Sequence, residues 1–156
     1  MPIEIYAKKN NMGVFIPDTQ DSRELVAELP NAVYRMDLVR PRNYLFHKKF
    51  FVLLDFAYDY WEAPDVKHNG IPIQKNKDLF RENMIIAAGF YTMGITIRGD
   101  ARAIADSISF GKMGQEKFDS LYKRVFDACW HLVFAKLGTF TPEQAEKTVL
   151  EIMSFS

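Results

Sequence analysis

Apolar residues recur at three- and four-residue spacing between residues 44 and 62, which is the pattern of an amphipathic helix. Pro41 cannot lie inside this helix and Asn43 is a suitable N-cap, so we expect the helix to begin near Tyr44. Its bases come first and its acids last. This order opposes the helix dipole, whose positive end is the N-terminus.

Helical spacing is also present in four other stretches. A short helix is predicted from a cap at Asp18 or Ser22 to just before Pro30. The stretch 79–89 predicts a helix that ends at a glycine, and a long helix is predicted over 115–138. A capping box with proline at the first helical position, Thr141-Pro142-Glu143-Gln144, begins the last helix.

Strand signals lie between these helices. Ile3, Ile5 and the segment 12–16 predict a short hairpin around the turn KKNN. In residues 32–40, apolar and polar side chains alternate, which predicts a strand with one buried face. Residues 90–98 predict a further strand, and 101–110 favour its hairpin partner through the turn Arg98-Gly99-Asp100. Residues 63–76, with two prolines and a glycine, read as a loop.

The order of strands, helices, strands and helices indicates an α+β fold, with small antiparallel β segments packed against about five helices. A chain of 156 residues is long enough for one domain with a substantial core, so we expect a single α+β domain over 1–156. The first residues lack the apolar core of a signal peptide, and no apolar run approaches the roughly 20 residues of a membrane span. We therefore expect a cytoplasmic protein without membrane contact.

The net charge is zero, with 20 basic and 20 acidic residues, so any electrostatic function must rest on local segregation. The sharpest segregation is over 35–49, which holds five Lys or Arg and a single acid, Asp37. Basic side chains beside a helix N-terminus are the ingredients of a phosphate site. The candidate nucleic-acid-binding residues are Arg35, Arg40, Arg42, Asn43, Tyr44, His47, Lys48 and Lys49. The alternative is a solvated basic face that covers aromatic rings.

Aromatic rings lie between these bases, and proteins that bind single strands use such rings as stacking platforms. Phe46 falls on the apolar stripe of its helix and is expected in the core, whereas Tyr44 is better placed to stack on a base. The acids at the other end of the helix, Asp55, Asp59 and Glu62, share one face and form an alternative site, for Mg²⁺ and phosphodiester cleavage.

Other chemistry is weakly represented. The single cysteine, Cys129, lies among apolar helical residues and is expected to be a buried thiol. Three histidines without a companion motif predict no structural zinc site, and no phosphate-binding loop or nucleophile motif is present. We expect no metal, no cofactor and no catalytic residue.

The long helix over 115–138 has apolar residues on two sides. One stripe runs from Phe118 through Val125, and the other contains Phe126, Trp130 and Phe134. A helix that is apolar on both sides is either central in a core or covered by a partner subunit. The second reading predicts a homodimer with Phe126, Trp130 and Phe134 at the interface.

Two motifs carry a family resemblance. The runs R-P-R-N-x-x-F-H-K-K-F-F-x-L-L at 40–54 and S-I-S-F-x-K-M-x-Q-E-x-F-x-x-L-Y at 107–122 resemble an uncharacterised family of phage and prophage proteins, catalogued as a domain of unknown function. This resemblance implies a phage protein in a bacterial cytoplasm and implies no activity.

The chain also distantly resembles the NinB (Orf) recombination proteins of lambda-like phages, in the bases before its aromatic helix and in Ser107, Ser109, Met113, Glu116, Phe118 and Leu121. That family binds single-stranded DNA as a dimer and assists recombinase loading. The resemblance places Arg40, Arg42, Asn43, His47, Lys48 and Lys49 near nucleic acid.

The leading hypothesis is thus a non-catalytic phage DNA-binding protein that prefers single strands and assists recombination or replication. One alternative is a phage protein that captures a host factor or a defence complex through its aromatic residues. The other is a Mg²⁺-dependent nuclease that uses the acids of the 44–62 helix.

Overall fold

The computed structural model describes residues 3–155. The chain divides into two compact units, residues 1–40 with 154–156 and residues 41–153. Helices and three two-stranded antiparallel sheets make up the described part of the chain, so the predicted α+β class is confirmed. The single domain over 1–156 stays a prediction.

The first unit contains a hairpin and a helix. Strands β1 (Ala7–Lys9) and β2 (Phe15–Pro17) pair around a turn in which the Asn10 side chain accepts the backbone N–H groups of Met12 at 3.0 Å and Val14 at 2.9 Å. A hairpin is present, as predicted, but its bounds differ: Ile3 and Ile5 lie before the first strand, and Lys8 and Lys9, predicted in the turn, belong to that strand. Helix α1 (Gln20–Glu28) follows, and its N-cap is Thr19 rather than Asp18 or Ser22.

The strand predicted over 32–40 is wrong. Residues 33–40 form no regular element, and every side chain in this stretch is exposed. Alternation identifies a segment that is suited to a strand, but a strand also needs a neighbour. Within residues 3–155, β1 and β2 pair with each other, and no strand pairs with residues 33–40.

In the second unit, helix α2 (Tyr44–Tyr60) supplies much of the core and begins at the predicted residue. Its buried side chains pack with those of α3 (Lys77–Ala87) and α4 (Gln115–Cys129), so α2 lies at the centre of the unit. The fully buried residues of α2 are Phe50, Leu53, Leu54 and Ala57.

The predicted loop over 63–76 contains a small hairpin. Strands β3 (Lys67–His68) and β4 (Ile71–Pro72) pair across Asn69 and Gly70, both at positive φ. An Asn-Gly pair with this backbone is the usual two-residue hairpin turn, so the sequence did carry a signal for it.

The second predicted hairpin is confirmed. Strands β5 (Tyr91–Ile95) and β6 (Ala101–Ala105) pair in antiparallel register, with Met93 opposite Ala103. Gly99 takes a φ of 90° in the turn between them.

The long helix predicted over 115–138 is interrupted. After α4, residues Trp130–Phe134 form a π-helical turn, and α5 (Ala135–Leu137) continues to Gly138, whose φ is 66°. A π turn inserts an extra residue and rotates the following side chains around the axis. Val133 and Phe134 therefore point into the core, whereas Leu132 is exposed.

The last helix, α6 (Pro142–Phe155), begins with the predicted capping box. The N–H of Thr141 donates to the Gln144 side chain at 2.9 Å, and the N–H of Gln144 donates to the Thr141 hydroxyl at 3.2 Å. Ala145 and Val149 anchor this helix to the core.

Candidate nucleic-acid interface

Two of the predicted nucleic-acid-binding residues lie in the first unit. Arg35 and Arg40 are both exposed in the irregular segment over 33–40. Arg35 lies 3.6 Å from Asp37, and both side chains are almost fully exposed. An ion pair this open contributes little to stability. Arg35 can therefore exchange its carboxylate partner for another anion at low cost.

Arg42 and Asn43 precede α2 in the second unit, and their side chains have different environments. Arg42 is exposed. The backbone of Asn43 is left-handed, with a φ of 50°, and its amide donates to the carbonyl oxygens of Phe110 at 2.9 Å and Met113 at 2.6 Å. Asn43 thus ties the start of α2 to the turn before α4. Asn43 is the N-cap residue of α2, as predicted, but its side chain makes no cap bond to the helix.

The aromatic residues near the start of α2 are engaged in packing. The ring of Phe46 stacks on that of Phe118 with centroids 4.3 Å apart and planes 7° apart. The His47 ring lies 4.7 Å from that of Phe51 and 5.3 Å from that of Phe110. Phe46 is a core-packed ring, as expected, and Tyr44 is half-buried.

The two lysines of the first turns do not form the open basic surface that the sequence predicted. Lys48 is buried, with 5% of its surface exposed. The ammonium of Lys49 lies 3.0 Å from the Glu146 carboxylate of α6 and 4.2 Å from the centroid of the Tyr122 ring. The helix spacing shows which residues follow one another along α2, but it does not show that α6 approaches Lys49.

Glu146 also accepts a hydrogen bond from the hydroxyl of Tyr122 at 2.7 Å. Burial and this bond raise the pKa of Tyr122 well above its ordinary value. Lys49, Glu146 and Tyr122 therefore form one polar cluster between α2, α4 and α6. In this arrangement the charge of Lys49 is balanced inside the unit.

The acids near the end of α2 do not form a magnesium site. Asp55 is 14% exposed and accepts from Arg81 at 2.5 Å, with Lys77 at 4.0 Å. Two cations of α3 thus pair with the Asp55 carboxylate, whereas Asp59 and Glu62 are exposed. In residues 3–155 no group of three His, Cys, Asp or Glu side chains is arranged to hold a metal.

The C-terminal end of α2 has its own cation. The Lys75 ammonium donates to the carbonyl oxygens of Tyr58 at 2.7 Å and Trp61 at 3.0 Å, and lies over the Tyr58 ring at 4.4 Å. A cation at the negative end of a helix stabilises it. The base that α2 lacks in its own last turn is supplied from the loop before α3.

The predicted dimer stripe on α4 is corrected by the π turn. Phe134 is fully buried and packs against the rings of Phe56 at 4.8 Å and Phe140 at 5.8 Å. Phe126 and Trp130 are partly buried against the same core. Phe134 is thus a core residue and is unavailable to a second subunit.

With this geometry in view, one comparison with known proteins is decisive. A family model for a protein of unknown function, DUF1367, matches residues 2–68 and 63–155. The chain belongs to the DUF1367 family. No curated protein and no solved structure matches it. All of the predicted nucleic-acid-binding residues lie in the first matched range, and the second contains α3 to α6.

Sequence reasoning missed one surface feature of this DUF1367 protein. A depression of ≈ 370 Å³ lies between the end of α3 and the end of α4, and Arg124, Asp127 and His131 contribute its polar side chains. Their spacing on one helical face was the available signal. The guanidinium of Arg124 lies 5.5 Å from the centroid of the Phe90 ring. Alanines and Leu132 complete the lining, and the three polar groups define no reaction.

The remaining sequence expectations concern Cys129 and the membrane. Cys129 is fully buried, as predicted, and burial raises its pKa to about 12. This keeps the thiol protonated and unreactive at neutral pH. None of the helices in residues 3–155 has the length and apolar character that a membrane crossing requires.

Proposed function

We propose that this protein is a phage-encoded, non-catalytic DNA-binding protein of the bacterial cytoplasm. It prefers single strands, acts as a homodimer and assists recombination or replication. The observation that carries the proposal is the N-terminal end of α2, whose first turn contains no acidic residue and is preceded by the exposed Arg42.

The N-terminus of α2 differs from those of the other long helices. Its first turn contains no acidic residue, and Asn43 makes no side-chain cap bond. The other helices of nine or more residues each carry an acid in the first turn, namely Asp21, Asp78, Glu116 and Glu143. An acid there offsets the positive end of the helix dipole. A phosphate group bound beside the N-terminus of α2 would offset the positive end of its dipole in the same way.

Burial narrows the set of residues that would meet the nucleic acid. Arg35, Arg40 and Arg42 are exposed, and each can contact a phosphate without leaving a structural partner of the core. Lys48 is excluded by its burial and Lys49 by its ion pair with Glu146. The proposed contact residues are therefore three arginines, with Tyr44 as the ring that would stack on a base.

The preference for single strands rests on two features. An exposed, irregular segment over 33–40 that carries arginines is suited to following a flexible backbone. The resemblance of the α2 and α4 motifs to the NinB proteins supports single-stranded DNA as the ligand and also supports a phage origin. With a net charge of zero, the protein would bind through these individual arginines and not through a global field.

Fluorescence anisotropy with a labelled single-stranded oligonucleotide tests the proposal. We expect binding that is tighter for the single strand than for a duplex of the same length, weakens with salt, and leaves the oligonucleotide intact with Mg²⁺ present. Absence of binding at low salt would overturn the proposal. Degradation that depends on Mg²⁺ would overturn its non-catalytic part.

A second candidate function, capture of a host or phage protein, is favoured by a different observation. The segment over 33–40 exposes Val33, Tyr34, Met36, Leu38 and Val39 in addition to its arginines. Contiguous apolar exposure of this kind is common at protein interfaces. A pull-down from host lysate that loses one defined protein when Met36 and Leu38 are changed to serine would support this candidate over DNA binding.

A further inference from the structure

The outer edge of strand β5 is open. Two backbone hydrogen bonds flank β5: the N–H of Asp106 donates to the carbonyl of Phe90 at 3.0 Å, and the N–H of Thr96 donates to the carbonyl of Asp100 at 2.9 Å. The even-numbered residues between them therefore also bond to β6. In an antiparallel ladder these bonded pairs alternate with non-bonded ones. The backbone groups of Tyr91, Met93 and Ile95 therefore point away from β6. Among residues 3–155, no further strand pairs with this edge.

The same three residues also expose large apolar side chains. Tyr91 is 46%, Met93 60% and Ile95 85% exposed. Their side chains lie on one face of the hairpin, together with the alanines that they oppose on β6. A two-stranded hairpin is marginally stable in water and gains from a third strand. Strand β5 thus combines an unpaired backbone with an apolar side-chain row.

Strand β5 lacks the devices that normally protect an edge. Natural proteins place charges, prolines or bulges on exposed edge strands to prevent pairing with another chain. Each of the other five strands in residues 3–155 carries a residue of this kind: Lys8 and Lys9 in β1, Pro17 in β2, Lys67 in β3, Pro72 in β4 and Arg102 in β6. The sequence of β5, YTMGI, has no charge and no proline.

We propose that β5 pairs with β5 of a second copy of this chain, antiparallel around a two-fold axis at Met93, to form a four-stranded sheet. This inference names the surface of the homodimer in the proposed function and does not depend on DNA. It places the interface on the hairpin and not on the α4 stripe.

The sequence of β5 is complementary to itself in this register. Tyr91 lies opposite Ile95 of the second copy, Thr92 opposite Gly94, and Met93 opposite its own equivalent. Aromatic and β-branched side chains form favourable cross-strand pairs. No two like charges are brought opposite each other, because β5 has no charged residue. A closed two-fold pair also uses up both free β5 edges, so the assembly ends at two copies.

The proposed contact is small. A pair of five-residue strands buries less than the roughly 1,200 Å² of a stable standard interface, which is typical of weak association. We expect a dimer that dissociates at micromolar concentrations and is complete in the high micromolar range. Sedimentation velocity over a concentration series, without nucleic acid, measures this directly.

The matched variants are Met93→Lys and Ile104→Lys. Both positions are exposed to a similar degree, 60% and 55%, on the same hairpin, but Ile104 lies on strand β6. Met93→Lys places two like charges at the two-fold axis, so we expect a monomer at every concentration, with an unchanged circular dichroism spectrum. Ile104→Lys is expected to dimerise as the wild type does.

A cross-linking experiment tests the register. In a hydrogen-bonded antiparallel pair the Cα atoms lie about 5.5 Å apart, within the range of a disulfide. A Met93→Cys variant should therefore form a covalent dimer under a copper–phenanthroline oxidant, whereas Ile104→Cys should not; the native Cys129 is buried. A wild type that stays monomeric throughout the series, or equal cross-linking of the two variants, would overturn the proposal. A wild type that dimerises in this way but does not bind DNA would overturn only the proposed function.

Discussion

The two ends of helix α2 carry opposite charges and are treated differently by the rest of the molecule. At the C-terminal end, Asp55 is held by Arg81 and Lys77 of α3, and the last carbonyl groups are capped by Lys75. At the N-terminal end, Lys49 is paired with Glu146 of α6. Arg42, before the helix, is exposed, and the first turn of α2 contains no acid. At the C-terminal end, Asp55 and the last carbonyl groups have cationic partners within the unit; at the N-terminal end, Lys49 has an acidic partner and Arg42 is exposed.

This difference explains why the charge order of α2 opposes the helix dipole. Asp55 balances the cations of α3, and Lys49 balances Glu146 of α6. The dipole effect is about 0.3–1 kcal/mol for one charge; the buried contact of Asp55 outweighs it, and the Lys49–Glu146 pair is of similar size. Tertiary pairing of Lys49 and Asp55 therefore accounts for part of the reversed order. At the N-terminal end of α2, Arg42 is the base for which the second unit shows no ion pair.

The largest effect is expected at the C-terminal half of α2. The Asp55→Asn variant removes the charge that balances Arg81, whose side chain is 11% exposed. Breaking one side of a buried pair costs about 3–5 kcal/mol, because the other charge is left buried. We expect the free energy of unfolding to fall by about 3 kcal/mol, measured by urea denaturation.

The control for this experiment is Asp59→Asn, an exposed acid of the same helix. Substitutions at open surface sites change stability by about 0.5 kcal/mol or less. If both variants lose the same stability, Asp55 is not held in the way described, and the contrast between the ends of α2 disappears.

A smaller loss is expected at Lys75. Its ammonium makes two hydrogen bonds to the last carbonyl groups of α2, so Lys75→Met should cost about 1 kcal/mol in urea denaturation. Lys67→Met, at an exposed lysine of β3, is the matched control and should be neutral. Equal stability of the two variants would show that the cap is not maintained in solution.

The Lys49→Met variant separates pairing from DNA binding at the N-terminal end. Loss of the bond to Glu146 should lower stability by about 1 kcal/mol, because both side chains are partly exposed and Glu146 keeps its bond from Tyr122. The salt dependence of DNA binding should stay that of the wild type. A shallower slope in this variant would mean that Lys49 leaves Glu146 to contact phosphate.

Much of the fold could be predicted because its signals are local. The capping box at Thr141 and Gln144, the start of α2 after Pro41 and the β5–β6 hairpin all depend on a few neighbouring residues. The buried Cys129 followed from its apolar helical surroundings. Each of these features is decided by backbone chemistry or by the spacing of apolar positions.

The errors have non-local causes. The π turn at Trp130–Phe134 rotates Phe134 into the core, and no regular spacing rule includes this rotation. Residues 33–40 alternate as a strand does but have no neighbouring strand among the described residues. The charge balance of Lys49 and Asp55 depends on α6 and α3, which lie far from them in sequence. Lys48 and Lys49 were therefore assigned to an open basic surface that their packing does not provide.

The central claim is that the N-terminal end of α2 contacts phosphate through Arg42, and one measurement tests it most directly. The affinity for a single-stranded oligonucleotide is measured by anisotropy across a salt series for wild type, Arg42→Ala and the exposed control Arg102→Ala. Each phosphate contact contributes about 0.7 to the slope of log K against log salt. We predict that Arg42→Ala lowers the magnitude of the slope by about 0.7, whereas Arg102→Ala leaves it unchanged. An unchanged slope for Arg42→Ala would contradict the account.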